Sequence, residues 1–279
     1  PAVPEPADRA ATGPTLPSSG LGMDIVLPIR SGGTAPALFC IHPSSGMAWP
    51  FLGLADALRP GRPIYGLQAP GLSGQQNPAS IQGFATRYVQ QIRALQPTGP
   101  YHLLGWSFGG LIAHATAAEL KRSGAEVGVV ALMDADTADI DGDSLEPLTP
   151  ATFVNTFGAM FGVHAIPPEA TAHETAELIQ KQFGGVPLFD AETLERMVTS
   201  YNESARTRTG YRRPVYDGDI VYFHATVDSG PIFGPFGWRP YVTGLIHNHE
   251  IDVTHNELAA PDVLPIIARV LDEYLGDEV

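Results

Sequence analysis

The chain has 279 residues, 44% hydrophobic and 16% charged, enough to bury the core of one large domain and too little for two or three full ones. Its formal net charge of -14 sets its field against phosphate backbones and anionic lipid surfaces, so neither nucleic acid nor membrane is an expected partner. The single cysteine, Cys40, excludes an internal disulfide and points to a reducing, cytoplasmic setting.

Residues 1–20 hold five prolines, many small residues and almost nothing large and apolar, a composition that does not repay the entropy of folding and reads as linker. The chain begins at Pro1, which suggests a piece cut from something larger at a flexible join. The opening stretch lacks the basic start and apolar core of a signal peptide, and no later run offers the about 20 apolar residues that span a bilayer.

From Ala35 onward, short apolar runs bounded by turn residues alternate with segments of helical periodicity, the pattern of βα units on a mostly parallel sheet with helices on both faces. The expected strands cover 35–43, 63–70, 101–107, 127–134, 219–225 and 247–253, and the expected helices 49–58, 81–95, 109–122 and 262–275. The alternation breaks between Asp136 and Tyr216. There the segments ATFVNTFGAMFGV and AETLERMVTSYNESA read as amphipathic helices, with Thr149-Pro150 as a helix start. An all-helical insertion over about 137–216 is expected to act as a lid. Its Phe153, Phe157, Met160, Phe161 and Met197 are candidates to line a substrate tunnel, with packing inside the lid as their competing role.

The strongest local signal is Gly105-Trp106-Ser107-Phe108-Gly109, a G-x-S-x-G pentapeptide between the apolar run YHLL and the helical run LIAHATAAEL. It resembles the nucleophile elbow of α/β-hydrolases, whose tight strand-to-helix turn exposes the serine Oγ at a helix N-terminus. A serine hydroxyl needs a histidine base and an orienting carboxylate, in the chain order Ser, acid, His. Asp134 ends the apolar run VGVVALMD and is the expected acid, with Asp136 and Asp139 as competitors. Of the histidines beyond it, His164 and His173 fall in the insertion, His224 within a strand, and His247 and His249 along another strand. His255 lies in a loop ahead of a helix and is the expected base, with His249 as runner-up.

An oxyanion hole is expected from the N–H of Phe108 and from an early loop, Cys40-Ile41-His42-Pro43-Ser44-Ser45-Gly46, where Ser45 is preferred slightly over Ser44. His42 reads as a packing residue and Cys40 as a buried strand residue. No metal, P-loop or dinucleotide pattern is present.

The segments LFCIHPSSGMAWPFLGLADAL, PIYGLQAPGL, YHLLGWSFGGLIAHATAAELKRSG, ALMDAD and DVTHNELAAPD together resemble the type I thioesterase domains that end nonribosomal peptide synthetases. The likeness runs from about residue 25 to the C-terminus and is strongest before Asp136. It implies that Ser107 takes a peptidyl or depsipeptidyl chain from the phosphopantetheine thiol of an upstream peptidyl carrier domain, that His255 and Asp134 drive acylation and release, and that no cofactor is bound by this domain itself. It also implies that residues 1–20 are the tether to the carrier. The family generally carries glycine or an acidic residue two positions before its histidine, where this chain has Val253.

Such domains resolve the acyl-enzyme with water, with a nucleophile on the substrate, or after joining several units. The aromatic and methionine content of the insertion leans towards macrocyclisation, because an intramolecular nucleophile outcompetes water only where water is kept out. A free-standing editing thioesterase or carboxylesterase, and a catalytically silent binding domain of the same fold, are the competing readings.

Overall fold

The computed structural model describes residues 22–158, 162–163, 165–227 and 234–276. The expected linker over 1–20, and Met160, Phe161 and His164 in the insertion, lie outside the described residues. Seven strands form one sheet: β1 (Val26–Arg30), β2 (Leu38–Ile41), β3 (Ile64–Leu67), β4 (Tyr101–Trp106), β5 (Val127–Met133), β6 (Ile220–Ala225) and β7 (Ile246–Ile251). Their spatial order is β1-β3-β2-β4-β5-β6-β7, parallel throughout except for β1 against β3.

Alternation along the strands divides the sheet between two apolar cores. Phe39, Ile41, Leu103, Val130 and Leu132 face one of them, together with Phe84, Tyr88 and Ile112 from α2 (Ile81–Leu95) and α3 (Phe108–Arg122). Leu38, Cys40, Leu104, Ala131 and Met133 face the other, with Leu54, Leu264 and Ile267 from α1 (Leu54–Ala57) and α7 (Leu264–Leu275). The strands after β1 and the longer helices match the sequence expectation to within a few residues.

Two elements differ. Strand β1 was not expected, since Pro28 interrupts its apolar run; the sheet accommodates that proline at an edge, where the register shifts between Pro28 and Arg30. The expected helix 49–58 is split into a 3-10 turn, Trp49–Phe51, and α1, with Gly53 between them.

The insertion contains α4 (Pro150–Phe157), α5 (Ala172–Gln182) and α6 (Ala191–Arg206). Helix α4 starts at Thr149-Pro150 as expected, and Thr149 caps it reciprocally with Thr152. Helix α5 carries its own start signal, Thr171-x-x-Glu174, whose reciprocal hydrogen bonds form. Phe153, Phe157 and Tyr201 gather their rings within 5.0 to 6.0 Å of one another, and Phe153 and Met197 are buried. The two therefore pack inside the insertion.

The chain runs outward from β2 to β3 and returns across β2 to β4. Ligands of open α/β sheets bind at such a reversal, outside the carboxyl ends of the strands. Here those ends are the 42–46 loop after β2 and Ser107 after β4.

Candidate active site

Three glycines make the turn after β4 this tight. A Cβ on Gly105 would lie 2.2 Å from the carbonyl oxygen of Gly109, one on Gly109 would lie 2.4 Å from the carbonyl oxygens of Ile41 and His42, and one on Gly110 would lie 2.3 Å from Cβ of Ala135. The elbow is thus closed on itself, on the end of β2 and on the end of β5. Ser107 itself sits at φ 55, ψ -120, and its side chain makes no capping bond to α3. Its N–H donates to the carbonyl of Met133 at 2.8 Å, and its carbonyl accepts from Gly110 at 2.9 Å.

Among the described residues, Ser107, Asp134 and Ala165 are the non-glycine positions with positive φ. Such backbone is strained for an L-residue and persists only where the surroundings over-determine it, as they do at functional sites. Asp134 has φ 43 and is 1% exposed; its N–H donates to the carbonyl of Phe223 in β6. One carboxylate oxygen, Oδ2, is 2.7 Å from Nδ1 of His255, and the other accepts from the N–H of Ala225 at 3.4 Å. An ionised carboxylate only accepts, so this pairing places the imidazole proton on Nδ1 and turns Nε2 into the acceptor nitrogen.

His255 opens a 3-10 turn whose N-cap Thr254 is locked to Glu257: both the N–H and the hydroxyl of Thr254 donate to Oε2, at 2.9 and 2.7 Å. That Thr-x-x-Glu box is legible in the sequence. The imidazole lies against Trp106, with ring centroids 5.9 Å apart. Val253, where the family resemblance expects glycine or an acid, packs partly buried on the second core, and its carbonyl accepts from Val227.

The competing acids are engaged elsewhere. Asp136 is buried and ion-paired with Arg208, and the exposed Asp139 faces Arg213. The runner-up base His249 is hydrogen-bonded to Tyr274, and His247 faces Asp219.

The loop after β2 lies directly on the first turn of α3, as the contact of Gly109 with Ile41 and His42 requires. Ser45 is fully buried and its hydroxyl accepts from Met47 at 3.4 Å, whereas Ser44 is half-buried. His42 donates from Nδ1 to the carbonyl of Pro43 at 2.7 Å and packs on Phe84, Tyr88 and Phe108. Burial lowers its pKa to about 4, so it is a neutral packing residue. Cys40 is buried in β2, and burial pushes its thiol well above the ordinary range. Among the described residues no group of three or more His, Cys, Asp or Glu side chains is placed to hold a metal ion, and no helix is long and apolar enough to cross a membrane.

Sequence reasoning missed the residues that fix the loop after Asp134, namely Arg208, Arg213, Tyr222 and Trp238. None carries a local signal, because each acts on a residue more than 70 positions away.

A family model described as "Thioesterase domain" matches residues 36–274. Malpibaldin synthetase of Mortierella alpina is 36% identical over 256 residues, covering 90% of this chain and 4% of that protein. The dimodular nonribosomal peptide synthase of Bacillus subtilis is 30% identical over 264 residues, covering 91% of this chain and 11% of that protein. The chain thus spans a small part of the relatives it matches. Among solved structures, the Vlm2 thioesterase domain superposes with a TM-score of 0.67 at 19% identity, covering 90% of this chain and 97% of that one. The likeness is one of fold, and the fold is that of the α/β-hydrolases.

Proposed function

The chain belongs to the thioesterase-domain family, of the kind associated with nonribosomal peptide synthetases, and from that premise we propose that Ser107, His255 and Asp134 form its catalytic triad. The observation that carries this reading is the Asp134–His255 hydrogen bond, with His255 packed on Trp106, the residue before a serine held at positive φ on a strand-to-helix elbow.

In the proposed reaction an upstream carrier domain presents a peptidyl chain as a phosphopantetheine thioester. Nε2 of His255 takes the Ser107 hydroxyl proton while Oγ attacks the thioester carbonyl, and Asp134 stabilises the imidazolium that forms. The N–H of Phe108, at the start of α3, and an N–H from Ser44 or Ser45 hold the oxyanion, with Ser45 preferred; each such donor is worth about 3 kcal/mol in the transition state. Collapse of the intermediate breaks the C–S bond, and His255 gives its proton to the departing sulfur, leaving a thiol and an ester on Ser107. In the second half an amine or hydroxyl gives a proton to His255, attacks the ester, and Ser107 leaves reprotonated.

The finer proposal is that α4 to α6 act as a lid and that the second nucleophile belongs to the substrate, so the product is a macrocycle. Two features support a water-poor space above the site. Phe153, Phe157 and Tyr201 pack together inside the insertion. Phe189, just before α6, stacks on Trp49, four residues past Ser45, with ring centroids 5.8 Å apart. An intramolecular nucleophile held near the ester has an effective molarity of roughly 10⁵ M or more where its geometry is good, and water then competes poorly.

The test offers a peptidyl thioester on a pantetheine mimic to the wild-type protein and to Ser107→Ala, with acyl-enzyme and products followed by mass spectrometry. Acylation and a cyclic product from the wild type alone are expected. Free acid as the sole product would replace macrocyclisation by hydrolysis, and turnover by Ser107→Ala at the wild-type rate would remove Ser107 as the nucleophile.

A further inference from the structure

The chain leaving β5 towards the insertion and the chain returning from α6 run against each other. The carboxylate of Asp136, 4% exposed, accepts from Nη2 of Arg208, 12% exposed, at 2.6 Å on Oδ1 and 2.8 Å on Oδ2. Oδ1 of Asp136 also accepts from the N–H of Ala138 at 3.0 Å. Arg213 is 4% exposed and lies against the rings of Tyr211 and Tyr241; it donates to the carbonyl of Ala138 at 2.9 Å. From the core side, the carbonyl of Ala135 accepts from Nε1 of Trp238 at 2.9 Å and from the hydroxyl of Tyr222 at 3.0 Å. Further out, the hydroxyl of Thr209 meets both Oδ1 of Asp141 and the N–H of Asp143.

These bonds hold the residues that follow Asp134, whose φ of 43 would relax were its neighbours free to turn. A buried ion pair is a poor device for stability alone, because the desolvation of two charges offsets most of their attraction. It does fix one geometry in preference to others. The relevant geometry is close by: Asp136 is two residues from the carboxylate that meets His255.

We propose that Arg208, by clamping Asp136, is a positioning residue for Asp134, so that the aim of the acid at His255 depends on the seating of the segment returning from the insertion. The proposal rests on the triad reading given above. Arg208 lies outside the amphipathic pattern of α6 and 72 positions from Asp136; in the role assigned to it, it acts through the turn. A misplacement of even about 1 Å at such a group is enough to cost roughly 100-fold in rate.

The test compares wild-type protein with Arg208→Gln, Arg208→Lys and the double variant Asp136→Asn/Arg208→Gln, all as the full chain. One readout is the low-field proton resonance of the His255 Nδ1–H in its hydrogen bond to Asp134, assigned by its absence from His255→Ala. The other is the separate measurement of kcat and KM on the peptidyl pantetheine thioester. Arg208→Gln is expected to weaken or lose the resonance and to lower kcat by about ten-fold or more, with KM within about two-fold. Lysine at 208 keeps the charge, and because a single nitrogen of Arg208 makes both contacts, it is expected to restore much of both readouts. If Arg208→Gln fails to fold, the double variant, which leaves no unpaired buried charge, carries the same expectation.

An unchanged resonance and kcat in Arg208→Gln, with only the melting temperature lowered, would overturn the proposal and reduce the pair to a structural tie. The resonance reports the Asp134–His255 pair directly. Turnover surviving in Ser107→Ala would therefore refute the triad reading and still leave the clamp judged by its own signal.

Discussion

Asp134 and His255 are 121 positions apart in the chain, and Oδ2 of one stands 2.7 Å from Nδ1 of the other. Because Asp134 is 1% exposed, the bond is shielded from competing water and fixes both the rotamer and the tautomer of the imidazole. Asp134→Asn keeps the shape but supplies a group that no longer demands a proton on Nδ1. We expect kcat to fall by about 10³ or more with the fold intact, read by single-turnover acylation beside circular dichroism. A loss of less than ten-fold would mean that another carboxylate takes the role.

The elbow makes a second prediction. A methyl group on Gly109 would meet the carbonyl oxygens of Ile41 and His42 at 2.4 Å, both rigid backbone, whereas one on Gly124 would meet nothing within 4 Å and only suffer the left-handed φ of 77. Gly109→Ala is expected to cost about 1–3 kcal/mol or more by overpacking and to abolish labelling by a fluorophosphonate, because the Phe108 N–H is pushed away from the loop of Ser44 and Ser45. Gly124→Ala should lose about 1–2 kcal/mol at most and label normally. Equal labelling of the two variants would contradict the shared position of elbow and loop.

These two cases also mark what the sequence could and could not reveal. The candidates Ser107 and Asp134 could be named because each follows a short apolar run at its turn, and His255 because it lies in the loop between β7 and α7; the helices flanking the sheet announced themselves by periodicity. Helix α5 carried a capping box that pattern reading passed over, since its apolar stripe is thin. Strand β1 was hidden by Pro28, a residue that the edge of the sheet tolerates. The Asp136–Arg208 pair leaves no trace in either local pattern: what brings the two side chains together is the tertiary return of the insertion.

The root of the insertion yields a third prediction. Asn77 is buried, and its amide donates to the carbonyl and hydroxyl of Ser200, at 3.1 and 3.0 Å, and to Glu203 at 3.2 Å, while its Oδ1 accepts from the N–H of Gly71 at 2.7 Å. Asn77→Ala removes these bonds, the Ser200 hydroxyl and the Gly71 N–H losing this partner, and should destabilise the join of α6 to the core by about 1–3 kcal/mol. Faster amide exchange along α6 is the expected signature. If the insertion excludes water from the acyl-enzyme, the same variant should raise the hydrolysed share of product; an unaltered product ratio with α6 loosened would argue that the lid does not govern release.

Three buried histidines among the described residues contribute to the response of stability to acid. His42, His102 and His114 are each lowered to about 4, in every case chiefly by burial, against about 6.5 in an unfolded chain. The unfolded state therefore binds protons at these sites as pH drops below about 6.5, while the folded state does not until about 4. The sign follows: stability is fully present above 6.5, is lost progressively between 6.5 and 4, and is not lowered further by these groups below that. The slope approaches about 1.4 kcal/mol per pH unit for each histidine, or about 4 for the three together. Urea midpoints at pH 7.5, 6.5, 5.5 and 4.5 check it. His102→Gln isolates one contribution, because Nδ1 of His102 accepts from the N–H of Val129 at 3.1 Å and a glutamine oxygen is an acceptor that does not titrate in this range. The variant should flatten the profile by about a third; a midpoint that is constant from pH 6.5 to 4.5 in the wild type would show that these imidazoles are protonated within the folded chain.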